Sequence, residues 1–174
     1  MRVRMDPGSG CGGLAVRLDE RHHYRIEATA DEVRCLARIG PLAQSVATRP
    51  VETDGPVVLV IDIDPGPASD AVGTPPDVVR LGVEEDGRFT PLAELDGRYL
   101  STEVAGGFTG RVIGVYAAEG TVAFDWYEYT GTAARQAGDP YPSRPRLRGP
   151  HRVAAGTRQG PVVQSVHHAG DRST

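Results

Sequence analysis

Apolar and polar residues alternate with a period of two along most of the first 130 positions, in runs too short for helices. In His22–Ala28, Tyr24, Ile26 and Ala28 fall on one side while His23, Arg25 and Glu27 fall on the other. Glu32–Ile39 repeats the pattern, with Val33, Cys35, Ala37 and Ile39 on one side and Arg34 and Arg38 opposite. Successive side chains of a strand point to opposite faces, so this alternation predicts half-buried antiparallel strands. The run over 57–63 is apolar on both sides, as in a central strand covered on both faces.

Turn chemistry punctuates these runs. Ala30-Asp31, Asp86-Gly87 and Glu119-Gly120 each separate two of them and predict hairpins. Asp64-Pro65-Gly66-Pro67 ends the apolar run, because proline cannot donate to a ladder, and a loop extends to Pro76. Further strands are expected over 78–84, 89–93, 111–117 and 121–129, and Asp96–Glu103 reads as a turn followed by a strand. About ten strands at this spacing, with no 3.6-residue period, predict an all-β, antiparallel two-sheet β-sandwich.

Composition bounds the domain organisation. The chain has 174 residues, enough for one domain with a real core. Beyond position 131 the text becomes rich in Pro, Gly and Arg and never builds an apolar face. Such a segment cannot bury enough surface to offset its ordering entropy, so 1–131 is expected to be the sandwich module and 132–174 a disordered tail. Arg- and Pro-rich text is also what a shifted frame yields from GC-rich DNA, and all 19 basic residues are Arg. Residues 1–130 carry 12 Arg against 21 acids, a net of −9. An acidic body repels phosphate backbones, which argues against nucleic-acid binding. No run approaches the ~18 apolar residues of a membrane span, and MRVRMDPGSG lacks the apolar core of a signal peptide, so the chain as written is expected to be cytoplasmic. Cys11 and Cys35 are expected to be free thiols, since disulfide scaffolds carry more cysteines.

Candidate chemistry in the residues is sparse. His22 and His23 point to opposite faces of one strand and cannot readily share a metal, and His167-His168 falls in the tail. Asp62, Asp64 and Asp70, like Glu84, Glu85 and Asp86, read as solvated loop acids rather than the paired carboxylates of a glycosidase. Calcium is the metal that oxygen-rich loops would hold, with Asp125 as its candidate ligand; no other cofactor is expected. Ser45 and Ser101 lack a nucleophile-elbow context. The aromatic set Phe124, Trp126, Tyr127 and Tyr129 is read as core and interface packing, ahead of a sugar-stacking face.

Two stretches carry a family resemblance. GGLAVRLDERHHYRIEA (12–28) is a strand-turn-strand opening, and GGFTGRVIGVYAAEGTVAFDWYEYTG (106–131) joins a Phe-Thr-Gly strand start to an Ala-Phe-Asp-aromatic closing strand. Together they resemble the C-terminal concanavalin A-like module of family-43 glycoside hydrolases, the β-xylosidase and α-arabinofuranosidase family. The resemblance implies a concanavalin- or jelly-roll-like sandwich that packs on a separate five-bladed catalytic propeller. It implies that the catalytic acids lie on that propeller and have no counterparts in this chain. It also implies a chain that starts inside the module, short of its first strands, from a parent enzyme of the secreted type. A loop of such modules reaches the propeller's pocket, and Phe108 matches its aromatic residue, bordering a xylo-oligosaccharide or arabinoside. The competing role for Phe108 is to anchor a glycine-flanked loop. The rival functions for the chain are a free-standing lectin-like carbohydrate binder and a non-functional gene fragment.

Overall fold

The computed structural model describes residues 1–51, 55–65, 77–106 and 110–131, together with the backbone of 146–154. The described chain is almost entirely β: β1 (Arg2–Asp6), β2 (Cys11–Arg17), β3 (His22–Ala28), β4 (Glu32–Ile39), β5 (Leu42–Pro50), β6 (Val57–Asp64), β7 (Val78–Glu85), β8 (Arg88–Asp96), β9 (Val112–Glu119), β10 (Thr121–Glu128) and β11 (Arg146–Ala154). They form two antiparallel sheets. The first has the order β11-β10-β1-β6-β7-β8 and the second β5-β4-β3-β2-β9. The predicted two-sheet sandwich is therefore the observed fold.

The core lies between the sheets and is built from the alternation already visible in the sequence. Tyr24, Ile26 and Ala28 of β3 and Leu14 and Val16 of β2 face Leu59, Ile61, Val79 and Leu81 of β6 and β7, with Val3, Met5 and Phe124 beside them. Burial of such side chains contributes about 1.5–3 kcal/mol each relative to exposure. The Asp86-Gly87 turn behaves as expected, both residues taking positive φ (51° and 74°) between β7 and β8.

Three elements differ from the sequence expectation or were absent from it. β1 lies in the middle of the first sheet, between β10 and β6; its apolar residues, Val3 and Met5, are too few to signal a strand. β5 is an edge strand whose Leu42 and Val46 are exposed, so no inward period betrays it. Asp96–Glu103 does not form a strand. The Asp96 carboxylate accepts from the Arg98 backbone N–H, a 3-10 turn follows over Gly97–Leu100, and a short helix α1 covers Thr102–Ala105. Leu100 is the buried anchor of that segment, and one apolar contact in a short turn leaves no helical period to read.

Within the stretch expected to lack structure, the backbone of β11 pairs with β10. The other residues of that stretch, 132–145 and 155–174, lie outside the described ones, as do Asp70 and His167-His168.

Gly13 sits where β2 is hemmed in by β3 and β9. A Cβ there would overlap the Ile26 carbonyl oxygen and stand 2.8 Å from the Glu27 Cα. Gly13→Ala is expected to cost about 2 kcal/mol through overpacking against backbone. The urea midpoint measures it; an unchanged midpoint would mean that the strands separate freely.

Candidate functional site

Phe108, with its neighbours 107 and 109, lies outside the described residues, but the chain on either side of it is defined, at one end of the sandwich. On one side the chain leaves α1 through Gly106, whose positive φ of 73° turns the backbone out of the helix. On the other it enters at Gly110 and Arg111 and runs into β9.

Arg111 ties this second point to the 3-10 turn that precedes α1. Its Nε donates to the Leu100 carbonyl at 2.7 Å and its Nη2 to the Gly97 carbonyl at 2.8 Å. Its fork also grips Asp77, at the start of β7, through Nη1 and through Nη2 at 3.2 Å. Two parallel contacts to one carboxylate fix orientation as well as distance. The Gly97 N–H donates to the Asp77 carbonyl at 2.8 Å, and a Cβ on Gly97 would collide with the Asp77 carboxylate. From the core, the Tyr24 hydroxyl donates to the Asp96 carbonyl at 2.7 Å, and burial raises the pKa of that phenol. The backbone carbonyls of Asp77, Asp96, Gly97 and Leu100 thus each have a donor. The same end exposes apolar side chains: Tyr99 in the 3-10 turn, Val104 in α1 and Val112 at the start of β9 are 40%, 45% and 48% exposed.

None of these bracket residues stood out in the sequence as functional. Asp77 and Arg111 are 34 positions apart, and nothing linear links them. Only the Asp96-Gly97 dipeptide signals a turn, and a turn signal says nothing about what braces it.

The remaining candidates separate. Asp125 pairs with Arg4 on the outer face of the first sheet, so the calcium candidate faces a guanidinium. Among the described residues, no group of three His, Cys, Asp or Glu side chains could hold a metal. Asp62 and Asp64 both lie by Arg80, Glu84 pairs with Arg2, and Glu85 with Arg49. These acids belong to strand ladders of ion pairs rather than to a catalytic pair. The aromatic set does not share a plane. Phe124 is in the core, Tyr127 packs against it, Trp126 lies under the Arg2 guanidinium at 5.7 Å, and Tyr129 is exposed beyond β10. Ser45 is on the exposed edge strand and Ser101 caps a turn. His22 bonds Asp19 through Nδ1, at 3.0 Å, while His23 lies on the outer face of the second sheet.

That outer face also holds a buried polar group. Glu27 accepts from the Tyr116 hydroxyl at 2.6 Å and from Arg34 at 2.9 Å, and Arg25 lies over the Tyr116 ring at 5.5 Å. Burial, followed by the Glu27 charge, raises the Tyr116 phenol, so it remains a donor at neutral pH. Cys11 and Cys35 are both free and buried; burial pushes their thiols up to about 11 and about 12, which leaves them unreactive.

Comparison with known proteins agrees with this geometry. Residues 1–130 match the family described as the β-xylosidase C-terminal concanavalin A-like domain. The chain is similar to a solved structure from Bacteroides ovatus described as xyloglucan PUL GH43B, at 22% sequence identity and a TM-score of 0.55. The match covers 67% of this chain and 22% of that one, so this chain spans a minor part of the matched protein's length. At that identity the likeness is one of fold.

Proposed function

The chain belongs to the family of β-xylosidase C-terminal concanavalin A-like domains, and on that premise we propose that it is an accessory module of a xylan-degrading, family-43 enzyme. In this reading it packs on the catalytic propeller and helps to shape the sugar pocket, while the catalytic acids are supplied by the propeller. The observation that carries the reading is the braced end of the sandwich. A loop whose tip meets a sugar must be held by rigid roots, and the Arg111–Asp77 bracket fixes the point where the chain leaves the Phe-Thr-Gly segment to the 3-10 turn that leads into α1. The exposed Tyr99, Val104 and Val112 supply apolar surface for the propeller, of the kind that interfaces bury at their centres.

Phe108 is the residue through which the module touches sugar. An aromatic ring offers a flat apolar face to the C–H side of a pyranose, and its loss removes binding common to ground and transition states. In the enzyme containing both domains, Phe108→Ala is expected to raise KM for xylobiose about tenfold, a loss of about 1.4 kcal/mol, with little change in kcat. An unchanged KM would remove Phe108 from the pocket and leave it as a loop anchor.

A further inference from the structure

The outer face of the second sheet concentrates positive charge on a body that is otherwise acidic. Register places Arg17, His23 and Arg38 in one row across β2, β3 and β4, with Arg25 in the next row beside Ala15 and Leu36. The third row brings Gly13, Glu27 and Arg34 together. Glu27, the carboxylate in these rows, is already satisfied by Arg34 and Tyr116. Arg17 reaches an exposed Glu20 in the adjoining turn. Arg25 and Arg38 have no carboxylate within ion-pair distance among the described residues, and the buried Nε of Arg25 has no hydrogen-bond acceptor. The first sheet's outer face is built the opposite way: Arg2, Arg4 and Arg80 each meet a carboxylate there.

Like charges on neighbouring strands repel, so such a cluster costs stability unless an anion offsets it. Arginine forks match a carboxylate in two-bond geometry. Strands lie about 4.8 Å apart, so Arg17 and Arg38 are separated by about 10 Å with Arg25 between and beside them. That spread suits an extended ligand with sugar hydroxyls around its charge better than a lone small anion. We propose that this face binds an acidic oligosaccharide, a sugar chain bearing a uronate carboxylate, with Arg25 and Arg38 as its principal contacts. The saccharide part of the proposal rests on the module's place in a sugar-cleaving enzyme; the anion part rests on the face alone.

The test is calorimetric titration of the full chain at low salt with three probes: a xylo-oligosaccharide carrying a glucuronic acid branch, the same backbone without it, and free glucuronate. The branched acid is expected to bind at least tenfold more tightly than either other probe, and to weaken as salt is added. Arg25→Gln with Arg38→Gln should remove that preference, and Arg80→Gln on the opposite face should not. The single exposed change Arg38→Gln, with thermal unfolding as the fold control, reads the same effect should the double variant unfold. Equal binding of neutral and acidic chains, no binding, or an unaltered double variant would overturn the proposal. Equal binding of free glucuronate would overturn its saccharide part. Phe108→Ala should leave this binding intact, so a failure here and a failure of the pocket role are read separately.

Discussion

Replacing Arg111 by alanine is expected to lower the stability of the sandwich by about 3 kcal/mol, or about 10 °C in unfolding temperature for a domain of this size. Arg111 is three-quarters buried and donates to two backbone carbonyls as well as to Asp77. Its removal leaves the Asp77 carboxylate half-buried without its counter-charge, and takes one donor each from the carbonyls of Gly97 and Leu100. Arg111→Lys should recover only part of the loss, because an ammonium cannot span Asp77 and two carbonyls at once. A double-mutant cycle with Asp77→Asn, followed by thermal unfolding, measures the coupling. Additive losses would show that the two side chains are independent and that the loop roots are held by something else. In the two-domain enzyme, the same change is expected to raise KM, as Phe108→Ala is expected to, because the chain next to Phe108 would lose its brace.

The second large effect is a dependence of stability on pH that passes through His23. The imidazole is 9% exposed, and burial, followed by the Arg25 guanidinium, pushes its pKa down from 6.5 to about 4. Arg38 and Arg17 push in the same direction; the Asp19 carbonyl opposes them. The folded protein therefore keeps His23 neutral over a range in which the unfolded chain protonates it. Stability is full above pH 6.5, declines as pH falls from 6.5 towards 4, and loses no more from this group below that. At 1.36 kcal/mol per unit, the decline is about 3 kcal/mol. Urea unfolding at pH 7, 5.5 and 4 should show the wild type losing that much more than His23→Gln, which has no proton to take up. Parallel curves for the two proteins would show that His23 titrates normally. The same three arginines that depress His23 form the proposed anion face, so a bound uronate would raise its pKa and flatten the slope.

The hairpins show where linear reasoning succeeds. The side-chain period of a strand is a local consequence of backbone geometry, so β3, β4, β7 and β10 could be read from their own residues. Asp86-Gly87 could be read because positive φ is a local cost that few residue types tolerate. The Phe-Thr-Gly motif was visible as a pattern, and the family match over 1–130 agrees with it. Local reasoning failed at the segment 96–103, where a strand was expected. There the outcome depended on Asp96 capping Arg98 and on Tyr24 and Arg111 fixing its carbonyls. Edge strand β5 escaped notice for a related reason: with neither face fully buried, its sequence has no inward period to display.

The sequence by itself determined the β class and the inward and outward faces of most strands. These depend on interactions spanning a few residues, which periodicity and turn chemistry report directly. Only the tertiary structure decided which strands are neighbours, and with that which charges meet. It set Asp77 against Arg111, gave Arg4 to Asp125, and gathered Arg17, Arg25 and Arg38 round a neutral histidine. Electrostatic and hydrogen-bond partners are chosen by distance in space. The order of strands in a sheet sets that distance, and no local pattern encodes the order.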